Sequence, residues 1–140
     1  MRRKLISGLM ILALSGCRAN NQSNIEIITN ETVRKYKQEQ AENFYDVGFA
    51  LFRKGAYELA LEYFKKALEK KPNYSPANDK AAEIYLSQGK YGLAEYHART
   101  AVENSPDNPF YKATLRLIQD EREKQRKMQQ IMFSKLYLAN

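Results

Sequence analysis

The sequence predicts an all-α fold: two helical hairpins stacked side by side, closed by one long C-terminal helix. Three observations predict it. Apolar residues between Val33 and Ala101 recur at three- and four-residue steps, the spacing that puts them on one face of a helix. A set of small, aromatic and turn residues is matched again 34 positions further on. After Pro109 the chain has no glycine or proline to interrupt a helix.

The chain opens on Met1-Arg2-Arg3-Lys4, a cationic start, followed by an almost wholly apolar run from Leu5 to Leu14 and then Ser15-Gly16-Cys17. A charged start, a short apolar stretch and a small-residue site make residues 1–16 a secretory signal. The run falls short of the roughly 20 apolar residues that a membrane span needs. Residues 17–28 are expected to form a tether. Arg18 to Asn24 is polar throughout, and Ile25-Glu26-Ile27-Ile28 is too short to define an element of its own.

Residues 29–108 are expected to form the repeat domain. Its first helix should start near Thr29–Thr32, where Thr and Asn offer caps. Val33, Tyr36, Gln40, Phe44, Val47 and Leu51 form the expected apolar face, and Gly55 stops the segment. A second helix runs from Tyr57 to Lys70 and ends before Pro72. Lys65, Lys66, Lys70 and Lys71 crowd its C-terminal end, where cations complement the helix dipole. Gly48, Leu51, Gly55, Tyr57, Leu59, Ala60, Ala67 and Pro72 then correspond to Ala82, Tyr85, Gly89, Tyr91, Leu93, Ala94, Ala101 and Pro106. Each residue type has a mechanical reason. Gly48 and Ala82 are small where paired helices cross, Gly55 and Gly89 permit tight turns, and proline cannot continue a helix. The units fall at about 41–74 and 75–108.

Residues 109–140 are expected to be one helix from Pro109 to about Leu138, roughly 45 Å long, with Asn108 as its cap. Asp120–Lys124 and Glu123–Lys127 are acid-before-base pairs that support a solvated helix. A degenerate third hairpin, with Met128 and Met132 in its core, is the other reading of this segment.

Two families enter on these residues. Phe44, Val47, Gly48, Leu51, Ala60, Phe64, Ala67 and Pro72 resemble the tetratricopeptide consensus. So do Asn78, Ala81, Ala82, Tyr85, Ala94, Ala98, Ala101 and Pro106, with Asn78 in place of a large apolar residue and Ala98 in place of an aromatic, which implies lighter packing. The resemblance implies a short right-handed stack that binds protein along an inner groove. It places Tyr45, Phe49 and Phe52 of the first unit in that groove, with Glu83 and Leu86 of the second and Leu117 of the third helix. The carboxylate clamp of the family needs Lys and Asn where Tyr45 and Phe49 stand, so C-terminal carboxylates are disfavoured as ligands. The aromatic face could equally be covered by Ile25–Tyr36 or Met128–Leu138 of the same chain.

Leu14-Ser15-Gly16-Cys17 resembles a bacterial lipobox, which implies acylation of Cys17 and a membrane anchor. Cys17 is the only cysteine in the chain, so no intramolecular disulfide uses it. Arg18 in place of the aspartate that retains lipoproteins at the inner membrane implies the periplasmic face of the outer membrane. Lipobox, tether and repeats together are similar to pilus-assembly lipoproteins, the tight-adherence and type IV pilotin types. That implies an adaptor for a secretion or pilus machine, the alternative being an envelope scaffold that recruits cell-wall enzymes.

Charge and chemistry narrow the remaining classes. The 23 Lys and Arg against 16 Asp and Glu give +7, and removing Arg2, Arg3 and Lys4 with the signal leaves +4. No block of like charge suggests a nucleic-acid partner. His97 is the single histidine, at a position that in the family often faces outward, and no phosphate loop or nucleophile motif occurs. No enzyme activity, cofactor or metal is expected.

Overall fold

The computed structural model describes residues 20–138, and among these every element is a helix. They are α1 (Asn20–Arg53), α2 (Tyr57–Lys70), α3 (Ser75–Ser87), α4 (Tyr91–Asn104) and α5 (Pro109–Leu138). The chain divides into two compact units at Lys37/Gln38. In the first, the described residues 20–37 are helical throughout. The second holds the hairpins and α5.

The helix start differs from expectation. Residues 17–28 read as a tether with helix from Thr29–Thr32, but α1 begins at Asn20. No glycine or proline occurs between Arg18 and Val47, and extending a nucleated helix costs little per residue. The inward face of α1 also differs. Val33, Tyr36 and Val47 are exposed, while Ala41 and Gly48 are buried and Phe44, Tyr45, Phe49, Leu51 and Phe52 are half-buried.

The repeat is written in the backbone hydrogen bonds. Ala56 N–H donates to Leu51 C=O at 3.1 Å, and 34 residues on Lys90 N–H donates to Tyr85 C=O at 2.9 Å. Gly55 N–H to Phe52 C=O and Gly89 N–H to Leu86 C=O complete the same helix-ending turn in each hairpin. Gly55 and Gly89 sit at φ 79° and 70°, a left-handed conformation that side chains with a Cβ resist. Both are the turn glycines that the spacing predicts.

Small residues then let the helices approach. A Cβ built on Gly48 would lie 2.8 Å from two ring carbons of Phe64, so α1 and α2 cross in contact there. Ala60, Ala67, Ala81, Ala82, Ala94, Ala98 and Ala101 have no exposed surface, and Phe64 fills the space among them. Asn78 and Ala98, the lighter residues of the second unit, are as buried as the rest. Asn78 is held by polar bonds. Its Nδ2 donates to Pro72 C=O (3.0 Å) and Tyr74 C=O (3.2 Å), and its Oδ1 lies 2.8 Å from His97 Nδ1. Ser75 and Ser105, 2.8 Å apart through their hydroxyls, tie the first residue of α3 to the residue that ends α4.

α5 is one uninterrupted helix of 30 residues, not a third hairpin. Asn108 Oδ1 accepts from Phe110 N–H at 2.9 Å, the predicted cap, and Pro109 takes the first turn, where a missing N–H costs nothing. Ile118 is fully buried and Leu115 packs beside it. Glu95 of α4 pairs with Arg99 at 2.6 Å and with Arg122 of α5, clasping the long helix to the second hairpin. Arg99 first, then Arg122, hold the Glu95 carboxyl below the usual carboxylate range against the cost of burial. Beyond this clasp Met128, Ile131, Met132, Phe133, Leu136, Tyr137 and Leu138 are all exposed. None of the described helices is long and apolar enough to cross a membrane.

Candidate functional site

α3 and α5 face each other across a groove, and Tyr45 of α1 contributes to its lining. The spacing of Pro76, Asp79, Lys80, Glu83 and Leu86 places them on one side of α3. Phe110, Tyr111, Ala113, Thr114 and Leu117 answer from the first three turns of α5, with Asn108 at the turn between the hairpin and that helix. The cavity is about 770 Å³. Its apolar residues are poorly covered: Phe110 is 77% and Leu117 51% exposed, although the helices carrying them are pinned by Ile118 and the Glu95–Arg122 pair.

The polar side is organised around three charges. Lys80 Nζ lies 2.5 Å from Glu83 Oε1 and 3.4 Å from Asp79 Oδ2, and 5.6 Å from the centre of the Phe52 ring. Burial acts against the Lys80 charge, but the hydrogen bond to Glu83 and the two carboxylates outweigh it and raise its pKa. Asp79 is 5% exposed, and its Oδ1 has no hydrogen-bond partner. Burial raises both Tyr45 and Tyr111, and the charge of Asp79 adds to each, so their hydroxyls stay protonated well into the alkaline range.

Of the groove residues expected from sequence, Tyr45, Glu83, Leu86 and Leu117 come together around this cavity. Phe49 and Phe52 do not line it. Phe49 stacks on Tyr45 with ring centres 5.8 Å apart, and Phe52 packs edge-on against Tyr57 at 5.3 Å. Tyr45 itself meets Phe64 and, edge-on, Tyr74, whose hydroxyl burial and the nearby Glu42 push up to about 12. The aromatics of α1 therefore cover one another and the hairpin core. Met128–Leu138 does not cover them; those side chains are exposed. Pro76, Asp79, Lys80, Asn108, Phe110, Tyr111, Ala113 and Thr114 complete the lining beyond the groove residues expected from sequence.

His97 also departs from expectation. It is half-buried, bonded to Asn78, stacked on Tyr85 at 5.4 Å and edge-on to Tyr96 at 5.2 Å. Asn78 Nδ2 donates to two carbonyls, so Oδ1 is the acceptor and His97 carries its proton on Nδ1. Among the described residues no group of three His, Cys, Asp or Glu side chains could hold a metal ion. Residues 1–16 and Cys17 lie outside the described residues.

Residues 51–118 match the family model described as tetratricopeptide repeat. No match is found among curated proteins. Repeats of this family are typically non-catalytic and bind other proteins, so the match supports a protein–protein interaction adaptor. The hairpins, their repeated turn bonds and the family match agree on residues 51–118, which are similar to tetratricopeptide repeats.

Proposed function

We propose that this chain is a membrane-tethered adaptor that holds a segment of a partner protein in the groove between α3 and α5. Its role is to assist assembly of a secretion or pilus machine at the bacterial outer membrane. The groove carries the binding half of this reading. Leu86, Phe110 and Leu117 present apolar surface to an open space of about 770 Å³ on helices that are otherwise firmly packed. Exposed apolar surface held on a rigid frame is the common mark of a protein-binding site.

The tether rests on sequence: Leu14-Ser15-Gly16-Cys17, a sole cysteine, and Arg18 after it. Each buried methylene of an acyl chain contributes about 0.8 kcal/mol, so two or more chains on Cys17 make release negligible. The assembly role rests on similarity to pilus lipoproteins in combining a lipobox with repeats.

Two substitutions test the two halves. Cys17→Ser expressed in a bacterial host should move the protein from the membrane to the soluble fraction; retention in the membrane would refute lipidation. Leu117→Lys, on an exposed face of α5, should leave thermal unfolding within a few degrees of the parent. It should nevertheless weaken partner capture by tenfold or more, the usual effect of a charge placed in an apolar contact. Undiminished capture would remove the groove as the site. Recovery of only cell-wall hydrolases or synthases would replace the pilus role by the scaffold role.

A further inference from the structure

We propose that the groove takes an arginine-bearing apolar segment of its partner, with the guanidinium received by Asp79. This rests on the groove being the partner site.

The charge arrangement points to a cation. Among the described residues, Asp79, Glu83 and Lys80 are the charged side chains lining the cavity, and together they carry one negative charge in surplus. Lys80 is committed chiefly to Glu83 at 2.5 Å and reaches only Oδ2 of Asp79, at 3.4 Å. Oδ1 of Asp79 is left without a donor, although the residue is 5% exposed. A buried acceptor in this state is costly, and a donor brought by an occupant of the groove would satisfy it. An incoming carboxylate or phosphate would instead add a second negative charge beside an unneutralised one.

The remaining lining selects arginine over lysine. Phe110, largely exposed, and Tyr111 offer aromatic surface, on which a planar guanidinium stacks while its N–H groups reach a carboxylate. A compact ammonium gains less from those faces and loses more hydration. Leu86 and Leu117 then provide apolar wall for the residues flanking the arginine. The occupant is thus a short stretch with one arginine among apolar side chains, not a polybasic tail: one surplus charge is matched by one cation.

The test begins from an unbiased source. Random twelve-residue peptides displayed on phage are selected on the full chain, and the strongest is synthesised with a fluorophore, once with its arginine and once with neutral citrulline there. Selected peptides should share an arginine between apolar residues. By fluorescence anisotropy, citrulline should weaken binding about tenfold, the difference between a charged and a neutral hydrogen bond. Asp79→Asn should weaken the arginine peptide by a similar factor and abolish the arginine–citrulline difference; Glu83→Gln should weaken it less. Circular dichroism reports whether Asp79→Asn keeps its helicity, and the citrulline comparison stands on the unaltered protein regardless.

Selected peptides without a basic residue, or an arginine–citrulline difference that persists in Asp79→Asn, would overturn the assignment. If Leu117→Lys abolishes binding while arginine and citrulline bind equally, the groove stands and only the arginine is wrong. Binding indifferent to Leu117→Lys, or a selection yielding no groove-binding peptide, removes both.

Discussion

Replacing Phe64 by alanine is expected to lower the unfolding free energy by about 3–5 kcal/mol, a large part of the stability of a domain this size. Phe64 has no exposed surface and is among the largest fully buried side chains. Much of the core around it is alanine, which cannot expand to fill the space its ring leaves. The ring is also the partner that keeps Gly48 a glycine, since a Cβ there would lie 2.8 Å from Cδ1 and Cε1. Both atoms belong to a fixed ring with no room to move aside. Gly48→Ala alone should therefore cost about 1–3 kcal/mol by overpacking, despite the better helix propensity of alanine. In the Phe64→Ala background the ring is gone and only Tyr63 Cβ, at 3.2 Å, remains close, so the same Gly48→Ala change should cost clearly less than in the parent. Urea unfolding followed by circular dichroism measures all four proteins. Additive effects of the two substitutions would show that the helices do not cross at this pair.

Asn78→Ala should cost about 2–3 kcal/mol by leaving His97 Nδ1–H and Pro72 C=O without partners. The link has a pH signature too. Burial first, and the charge of Lys65 second, lower the His97 pKa from its ordinary value near 6.5. A depressed histidine is neutral in both folded and unfolded chains above that value, so its contribution to stability is complete there. Below it the unfolded chain takes up the proton first, and stability declines as pH falls until the folded-state pKa is passed. His97 is the only histidine. Stability measured between pH 7.5 and 5 should therefore fall in the parent protein, and the slope over that window should flatten in His97→Gln. An unchanged slope in His97→Gln would mean that His97 is not desolvated as described.

Local signals carried the fold a long way. Gly55, Gly89 and the Asn108-Pro109 start speak through backbone conformation, which needs no knowledge of the rest of the chain. Gly48 was legible because a family register says which helix it meets. What escaped depends on pairs far apart in sequence. Asn78 reads as a loss of apolar packing, and His97 as a surface residue. Only when α3 and α4 lie together does each become the other's hydrogen-bond partner. The α1 aromatics had the right spacing for the groove, yet a helix face of that width serves both groove and core. Phe49 and Phe52 turned to Tyr45 and Tyr57, where burial returns more than exposure. The Asp79–Lys80–Glu83 arrangement could not be ranked above other acid–base neighbours, because nothing in one dimension shows which carboxylate oxygen lacks a donor.

The central claim is that a partner segment lies between α3 and α5. Site-specific photo-cross-linking in cells tests it most directly, with a photoreactive amino acid at position 117 in the groove, at 62 on the exposed side of α2, or at 133 on the exposed end of α5. A discrete adduct from position 117, absent from 62 and 133, is the predicted result. Adducts from 62 or 133 with none from 117 would contradict it.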